Sequence, residues 1–334
     1  ETIIDFSVSC NPFGPPPGIR EVLSNTPIDC YPDSESSELK QSLARKLNIG
    51  SDNLIIGSGS TELIRLAAIA YFGHGDLVLI PQPTYGEYEI ACHLVDAQVL
   101  KQPMLKEANF QLNTAETVDL IQRHQPKGIF LCNPNNPTGQ YLTEEKAKHI
   151  MSIAKDSLVI LDEAYIAFTE SAWTSSDLVN QGNLVILRSM TKDYALAGLR
   201  LGYAIAAEPV ISVLKRAQPP WNVNAAAQKA GVLALSADDY LEESKVKIQE
   251  TKDFLLRELT CLGLSPLPSQ TNFFLIEVGN AAKFRLDLLK KGFLVRDCTS
   301  FGLPDYIRLA PRTLPECQKL IEAIKETRVY SHAC

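Results

Sequence analysis

Short apolar runs alternate with stretches of helical periodicity along the chain up to about residue 206. Within each run the apolar residues are continuous, which is typical of strands whose two faces are both buried. Between the first two runs, Leu63, Leu66 and Ala70 share one face of a predicted helix. Alternating strands and helices predict an α/β fold with a doubly wound, mostly parallel central sheet. The runs lie at residues 54–56, 77–80, 128–132, 158–161, 184–187 and 203–206.

The pattern changes after about residue 208 and predicts a smaller α+β domain. Residues 1–30 are rich in proline and glycine, so we expect an irregular arm that packs on the small domain or on a partner subunit. The predicted division is therefore an arm at 1–30, a large domain at 31–207 and a small domain at 208–334. The elements predicted for the small domain are a helical stretch at 225–262, a strand at 272–278, a helix at 283–290, strands near 293–296 and at 306–309, and a helix from 314.

Composition and charge restrict the function without defining it. The net charge is −7 and the basic residues are scattered, which argues against a nucleic-acid partner. The eight cysteines include no C-x-x-C pair and the five histidines do not cluster near them, so no metal site is predicted. No apolar run is long enough to cross a bilayer, and the chain starts without a signal-like segment. We therefore expect a cytoplasmic protein with no membrane partner.

Reactive side chains follow two of the predicted strands at their carboxyl ends, where ligands bind in such sheets. Lys192 comes shortly after the strand at 184–187, and its amine can react with an aldehyde if its pKa is lowered. An ordinary surface lysine is the alternative interpretation. Asp162 ends the run at 158–161, where a buried carboxylate needs a partner. That partner is either a protonated pyridine nitrogen or a structural cap or ion pair.

Polar loops follow three other predicted strands. The segment 133–139, Asn-Pro-Asn-Asn-Pro-Thr-Gly, forms a rigid loop from which Asn136 can donate to a phenolic oxygen. The segment 57–62, Gly-Ser-Gly-Ser-Thr-Glu, offers amides and hydroxyls to an anion at a helix start. It is neither a dinucleotide fingerprint, because Glu62 replaces the last glycine, nor a P-loop. Tyr85 follows a third strand and either stacks on a planar ring or packs in the core. An amine, a carboxylate, an Asn/Tyr pair and an anion loop are the set that holds pyridoxal 5′-phosphate.

With these motifs the chain resembles the class I/II aminotransferase family of pyridoxal-phosphate enzymes, over about residues 3–328. The resemblance implies the fold type I transferase architecture, pyridoxal 5′-phosphate as cofactor and a homodimer. It implies Lys192 as the Schiff-base lysine, Asp162 at the pyridine nitrogen, and Asn136 and Tyr165 at the ring oxygen. The catalytic residues it implies are Lys192, Asp162 and Tyr165. The other cofactor-binding residues are Tyr85 stacked on the ring, Tyr31 reaching across from the other subunit, and Ser60, Thr61, Ser189, Thr191 and Arg200 around the phosphate.

Within that family two subfamilies compete, both acting on phosphorylated substrates. They are the threonine-phosphate decarboxylase of cobalamin biosynthesis and the histidinol-phosphate aminotransferase of histidine biosynthesis. The amino-terminal motif of Asp5-Phe-Ser followed by Asn11-Pro, the Pro-Trp-Asn-Val-Asn segment at 220–224 and the spacing of Arg308 and Arg312 favour the decarboxylase. Arg312 reaches the region of Arg308 if the strand at 306–309 continues, and it turns to solvent if Pro311 bends the chain. Tyr85, Tyr165 and Ala197 favour the aminotransferase. We expect L-threonine-O-3-phosphate decarboxylase, with histidinol-phosphate aminotransferase as the alternative and a non-catalytic pyridoxal-phosphate-binding protein as an alternative of another class. The expected substrate-binding residues are Asn11, Arg296, Arg308 and Arg312.

Overall fold

The structure is a computed structural model that describes residues 3–331. The strands are β1 (Ile4–Asp5), β2 (Leu54–Gly57), β3 (Leu77–Gln82), β4 (Gln98–Pro103), β5 (Gly128–Cys132), β6 (Leu158–Asp162), β7 (Leu184–Ser189), β8 (Gly202–Ala206), β9 (Phe274–Glu277), β10 (Phe293–Leu294), β11 (Arg296–Asp297) and β12 (Tyr306–Leu309). The helices are α1 (Ile19–Ser24), α2 (Ser37–Leu47), α3 (Ser60–Tyr71), α4 (Glu87–Leu94), α5 (Thr114–His124), α6 (Glu144–Ile153), α7 (Glu208–Ala217), α8 (Ala225–Ala234), α9 (Asp238–Cys261), α10 (Ala281–Leu289) and α11 (Leu314–Ser331).

The central sheet has the strand order β2-β8-β7-β6-β5-β3-β4. Strands β4, β3, β5, β6 and β7 run parallel, while β8 is antiparallel to both of its neighbours. The mostly parallel α/β sheet predicted from the apolar runs is confirmed. The sequence pattern missed only β4 among the strands of this sheet. Its residues, Gln-Val-Leu-Lys-Gln-Pro, are half exposed because β4 is an edge strand, so no continuous apolar run marks it.

Helices cover both faces of the central sheet. On one face, α3, α4 and α7 pack Ile64, Tyr88 and Ile211 against the strands. On the other face, α2, α5, α6 and α8 contribute a second core that includes Leu43 and Ile150. This arrangement leaves the carboxyl ends of β5, β6 and β7 free to form a binding site.

The carboxyl-terminal part of the chain builds a second, smaller layer. An antiparallel sheet of order β11-β12-β9 packs with α9, α10 and α11. Strand β1 of the arm pairs in parallel with β10, which attaches the amino terminus to this layer. The helical stretch predicted at 225–262 is two helices, because the chain breaks between α8 and α9. Helices α7 and α8 pack on the central sheet, and the predicted domain division at 207/208 stays a prediction.

Neither a membrane-spanning helix nor a metal cluster is found within the described residues. No helix within residues 3–331 combines the length and the apolar content needed to cross a bilayer. The same residues bring together no group of three His, Cys, Asp or Glu side chains suited to a metal ion. The cysteines from Cys10 to Cys317 are free thiols.

Candidate active site

A cleft of about 360 Å³ lies at the carboxyl ends of β5, β6 and β7. Residues from the central sheet, the arm and the small antiparallel sheet line it together. The structure brings most of the sequence-predicted site residues into this one cleft. Those that line it are Ser60, Thr61, Tyr85, Asn136, Asp162, Tyr165, Ser189, Thr191, Lys192, Arg200, Arg296 and Arg308.

Asp162 is the last residue of β6 and its side chain is buried at the base of the cleft, 3% exposed. Its Oδ2 accepts a hydrogen bond from the Tyr88 hydroxyl at 2.8 Å, and its Oδ1 accepts one from the Ala164 amide at 3.0 Å. Burial raises the pKa of Asp162 to about 6, although both hydrogen bonds act to lower it. No cationic side chain among the described residues lies within 4.0 Å of this carboxylate. A cationic group of a ligand would therefore relieve the cost of burying it.

Lys192 follows β7 and points into the cleft beside Tyr165, with Nζ 5.8 Å from the centre of the tyrosine ring. The charge of Tyr165 raises the pKa of Lys192, while burial and the positive charge of Arg308 act to lower it. The sequence argument required a lowered pKa for reaction with an aldehyde. The structure gives the opposite direction, because the interaction with Tyr165 outweighs the effect of burial on the pKa of Lys192.

Asn11 fixes the backbone on which Lys192 stands. It is buried, its amide donates to the Lys192 carbonyl at 2.7 Å, and its side-chain Nδ2 donates to the Asp193 carbonyl at 3.1 Å. Asn11 does not line the cleft. We expected it to bind substrate, and the structure instead places it behind the reactive amine.

The loop after β5 turns Asn136 toward the cleft, while its other asparagines, Asn133 and Asn135, form hydrogen bonds that hold the loop in place. Asn133 exchanges hydrogen bonds with the backbone of Leu142 at 2.7 and 3.2 Å. Asn135 donates to the Pro83 carbonyl at 2.9 Å and to the Thr138 hydroxyl at 2.8 Å. Asn136 is left facing the cleft, and its Oδ1 accepts from Nη1 of Arg308 at 2.5 Å. The asparagine-rich sequence thus builds a rigid loop that turns the Asn136 side chain toward the cleft.

An anion-binding corner forms where α3 begins. Gly59 precedes the helix with φ +78, and a Cβ at this position would lie 2.6 Å from Nη2 of Arg200. Glycine therefore allows the Arg200 guanidinium to approach the amino terminus of α3. The hydroxyls of Ser189 and Thr191, 2.7 Å apart, lie in the same cleft. Helix amides, hydroxyls and a guanidinium together suit a phosphate.

Two tyrosines are tied to the walls of the cleft. The Tyr85 hydroxyl lies 3.3 Å from the Thr61 hydroxyl, which links it to the anion-binding corner. The Tyr165 hydroxyl lies 2.9 Å from Ser9 Oγ of the arm. The Tyr165 ring packs edge-on against Phe273, with 4.8 Å between ring centres. Both phenols are therefore held in place by contacts from outside their own strand and loop.

Arg296 and Arg308 lie directly opposite each other on the antiparallel pair β11–β12. Arg308 is buried, donates to the Ser7 carbonyl at 2.8 Å and lies 4.9 Å from the centre of the Phe273 ring. Arg296 is exposed and donates to Ser300 Oγ at 2.8 Å. Neither forms an ion pair with a described carboxylate within 4.0 Å. Two arginines that face each other without an acid fit an anionic ligand.

Besides Asn11, the structure places two further predicted residues, Tyr31 and Arg312, outside the cleft. Tyr31 is 80% exposed and stacks on Trp221, with 4.7 Å between ring centres. We expected Arg312 to continue the strand of Arg308 into the site. That expectation is wrong, because β12 ends at Leu309, and Arg312 instead donates to the Asp5 carbonyl and pairs with Glu316, both at 3.2 Å.

Comparison with known proteins decides the family. The family model described as aminotransferase class I and II matches residues 1–324. The chain belongs to this family. As a member it is a pyridoxal-phosphate-dependent enzyme of fold type I, so the predicted cofactor and architecture are confirmed.

The similar proteins include members of both subfamilies, histidinol-phosphate aminotransferases and a threonine-phosphate decarboxylase. The histidinol-phosphate aminotransferase of Symbiobacterium thermophilum is 35% identical over 97% of this chain and 90% of its own. The structure of the same enzyme from Clostridium acetobutylicum has a TM-score of 0.88 and 28% identity, covering 97% of this chain and 99% of that one. The L-threonine-O-3-phosphate decarboxylase from Porphyromonas gingivalis has a TM-score of 0.86 and 26% identity, with coverages of 97% and 99%. These similarities support the aminotransferase better than the decarboxylase that the sequence motifs favoured.

Sequence reasoning missed several residues of this aminotransferase-family cleft. One of them is Tyr88, whose hydroxyl donates to Asp162. Its position three residues after Tyr85, which is the spacing of neighbours on one side of a helix, could have indicated it. Cys132, the last residue of the apolar run at 128–132, also lines the cleft. Ser7 reaches the cleft from the arm, where it was noted only as part of the Asp-Phe-Ser motif, and Phe301 reaches it from the segment after β11, where no local motif marks it. Their position depends on tertiary packing, which a single-sequence pattern does not carry.

Proposed function

We propose that this enzyme transfers an amino group from a phosphorylated amine, histidinol phosphate, to the 2-oxo acid 2-oxoglutarate. The observation that carries the proposal is the similarity to histidinol-phosphate aminotransferases over nearly the whole of both chains. The geometry supports it, because the cleft offers one anion site at the start of α3 and a second between Arg296 and Arg308. Arg312, on which part of the case for a decarboxylase rested, lies outside the cleft.

Each part of the cofactor has a matching partner in the cleft. Pyridoxal phosphate, when bound, withdraws electrons from the substrate bond that is to be broken. The buried Asp162 would hold the pyridine nitrogen in its protonated form, and Asn136 and Tyr165 would bind the ring oxygen. The corner at Gly59 and Arg200 would bind the phosphate, with Ser60, Thr61, Ser189 and Thr191 supplying hydroxyls. Tyr85 would lie against the ring.

Lys192 would carry the cofactor and then move the substrate proton. Its amine lies in the wall of the cleft beside Tyr165, and Asn11 fixes its backbone. A free amine in that position can accept a proton from the substrate carbon and return it elsewhere as general acid. Asp162 would place a negative charge at the pyridine nitrogen, and Tyr165 would bind the ring oxygen through a hydrogen bond. Together they would fix the orientation of the cofactor during this proton transfer.

Arg308 and Arg296 would bind the anionic groups of the substrates in turn. The buried Arg308 is held by Asn136 and Ser7, so its guanidinium is fixed near the reacting centre. Arg296 is exposed and held only by Ser300 and the face of Phe301, with 5.3 Å between its guanidinium carbon and the ring centre. An adaptable second arginine suits an enzyme that accepts a phosphate on one substrate and a distal carboxylate on the other.

Replacing Arg308 by methionine is expected to lower kcat/KM by a factor that corresponds to a loss of about 2–4 kcal/mol of transition-state stabilisation. The reason is that a substrate anion would be left without its charged partner. Arg296→Met is expected to cost less, since Arg296 is more exposed. Steady-state kinetics with each substrate varied in turn measures both losses. Arg312→Met is the matched control and should leave kcat/KM within about twofold, because Arg312 lies outside the cleft. Equal losses in all three variants would contradict the assignment.

The reaction itself is tested by direct product analysis. The purified enzyme is incubated with histidinol phosphate and 2-oxoglutarate, and separately with O-phosphothreonine in the absence of any 2-oxo acid. We expect glutamate from the first mixture and no carbon dioxide from the second. Carbon dioxide from the second mixture, with no glutamate from the first, would reject the proposal in favour of the decarboxylase. The Lys192→Ala variant serves as the blank for both.

We further propose that the working unit is a homodimer in which Tyr31 completes the partner's phosphate site. Tyr31 and Trp221 form an exposed aromatic pair, and such a patch is costly to leave in water. Sedimentation at micromolar concentration should give a dimer, and Tyr31→Ala should weaken binding of pyridoxal phosphate about tenfold. A fully active monomer would contradict this arrangement.

A further inference from the structure

A short segment before β9, residues 268–272, touches several supports of the cofactor site; we call it the strap. The Gln270 amide donates to the Gly139 carbonyl at 2.8 Å, at the end of the loop that carries Asn136. The Thr169 hydroxyl donates to the Gln270 carbonyl at 3.1 Å. Asn272 Nδ2 donates to the carbonyl of Ser9, whose hydroxyl lies 2.9 Å from the phenol of Tyr165.

The strap also packs tightly against the cofactor-binding loop. Gly139 has φ +70, and a Cβ at this position would overlap the hydroxyl of Ser269. Phe273, the residue after the strap, is fully buried. It packs against Tyr165 at 4.8 Å and against Arg308 at 4.9 Å. A displacement of the strap would therefore reach the ring-binding tyrosine, the asparagine loop and the buried arginine together.

On its other side the strap is held by a buried lysine. Lys252 of α9 is 5% exposed, and its Nζ donates to the Ser269 carbonyl at 2.7 Å and to the Thr271 carbonyl at 2.8 Å. It forms no ion pair with a described carboxylate within 4.0 Å. Burial lowers the pKa of Lys252 to about 8. A buried cation bound only to neutral carbonyls is costly, so an apolar residue would be the simpler way to fill this position.

We propose that Lys252 is a positioning residue for the cofactor site, acting through the two strap carbonyls that it holds. Its amine fixes Ser269 and Thr271, and the intervening Gln270 then presents its amide to Gly139 and its carbonyl to Thr169. The small layer is in this way connected to the cofactor-binding loops by a defined chain of hydrogen bonds. Without the amine, two carbonyls would lose their donor and the strap would lose its fixed path.

The first test compares Lys252→Met with Thr251→Val. Thr251 is the neighbouring residue, is equally buried at 5% exposure, and bonds only to the helix carbonyls of Lys247 and Ile248. Both variants are expected to lower the melting temperature. Only Lys252→Met is expected to raise the dissociation constant for pyridoxal phosphate, by about tenfold, as measured by absorbance titration. A dissociation constant within twofold of the parent in both variants would show that Lys252 is merely structural.

The second test uses the unaltered protein and does not depend on any variant folding. If the strap and the cofactor are coupled, bound cofactor must stabilise the strap as much as the strap stabilises bound cofactor. Hydrogen exchange at the Gln270 amide should therefore be slower, by about tenfold, with pyridoxal phosphate bound than after its removal. Equal exchange in the two states would overturn the proposal. Neither readout requires a substrate, so failure here is separable from failure of the proposed amino transfer.

Discussion

Replacing Lys192 by alanine is expected to remove the covalently held cofactor and to reduce turnover by about 10⁴-fold or more. Lys192 is the only lysine among the residues that line the cleft. Its Nζ lies 5.8 Å from the centre of the Tyr165 ring, and Asn11 holds its backbone carbonyl. No other described amine is placed to form the bond to the aldehyde or to move the substrate proton, so both roles should be lost at once.

The measurement is borohydride reduction of the enzyme with pyridoxal phosphate, followed by mass analysis of its peptides. The parent protein should be labelled at Lys192, and Lys192→Ala should carry no label and lack the visible absorbance band. Lys155→Ala, at an exposed position, is the matched control and should be labelled and active like the parent. A label at a different lysine in the parent would overturn the assignment.

The parts of the fold that were predictable are the elements whose burial is visible as an apolar pattern in their own sequence. Strand β6 is buried along its whole length and appears as an unbroken apolar run. Edge strand β4 also pairs in parallel with its neighbour, but its residues are half exposed, so its sequence shows no continuous apolar run. The break between α8 and α9 falls at residues 235–237, where the sequence Leu-Ser-Ala contains no glycine or proline to mark it. Local pattern therefore indicates strands in the centre of a sheet better than edges or breaks.

The candidate site shows the same division between local and long-range information. Asp162, Lys192 and Asn136 were predictable, because each follows a buried strand and parallel strands end at one edge. Arg312 was misplaced because β12 ends at Leu309, just before Pro311, and the chain beyond it turns Arg312 to the Asp5 carbonyl of the arm. Phe301 was missed because nothing in its neighbourhood suggests a ligand.

The choice between amino transfer and decarboxylation was the least predictable step. The cofactor labilises whichever substrate bond stands perpendicular to its ring, so a rotation about one bond separates the two reactions. The side chains that line the cleft include ones from the arm, the loop after β5 and the small sheet, which are distant in sequence. The Asn-Pro motif that favoured the decarboxylase contains Asn11, which does not line the cleft. Similarity over the whole chain carried more information than any single motif.

Asp162→Asn is expected to have two opposite effects, one on stability and one on function. Burial raises the pKa of Asp162 from 3.8 to about 6, so keeping the carboxylate ionised costs the cofactor-free fold about 3 kcal/mol at neutral pH. Asparagine removes this cost, although it accepts the hydrogen bonds of Tyr88 and Ala164 less strongly than a carboxylate does. We therefore expect the cofactor-free variant to be about 1–3 kcal/mol more stable than the parent at pH 7.

The stabilisation should follow the titration of the carboxyl group. Between about pH 4 and pH 6 the folded parent binds more protons than the unfolded chain, so its stability falls as pH rises. The advantage of Asp162→Asn should be absent below about pH 4 and complete above about pH 6 to 7. Urea unfolding of the cofactor-free proteins at several pH values measures this difference. Asp156→Asn, at an exposed position, should show no such dependence.

The functional effect of the same substitution should be large and of opposite sign. Without the carboxylate the pyridine nitrogen loses the partner that keeps it protonated, so we expect kcat to fall by about 10²–10³-fold. Such a variant would be more stable without cofactor and nearly inactive with it, which is the signature of a charge buried for function rather than for folding. A variant that is less stable than the parent at pH 7 and keeps full activity would show that Asp162 is an ordinary structural acid.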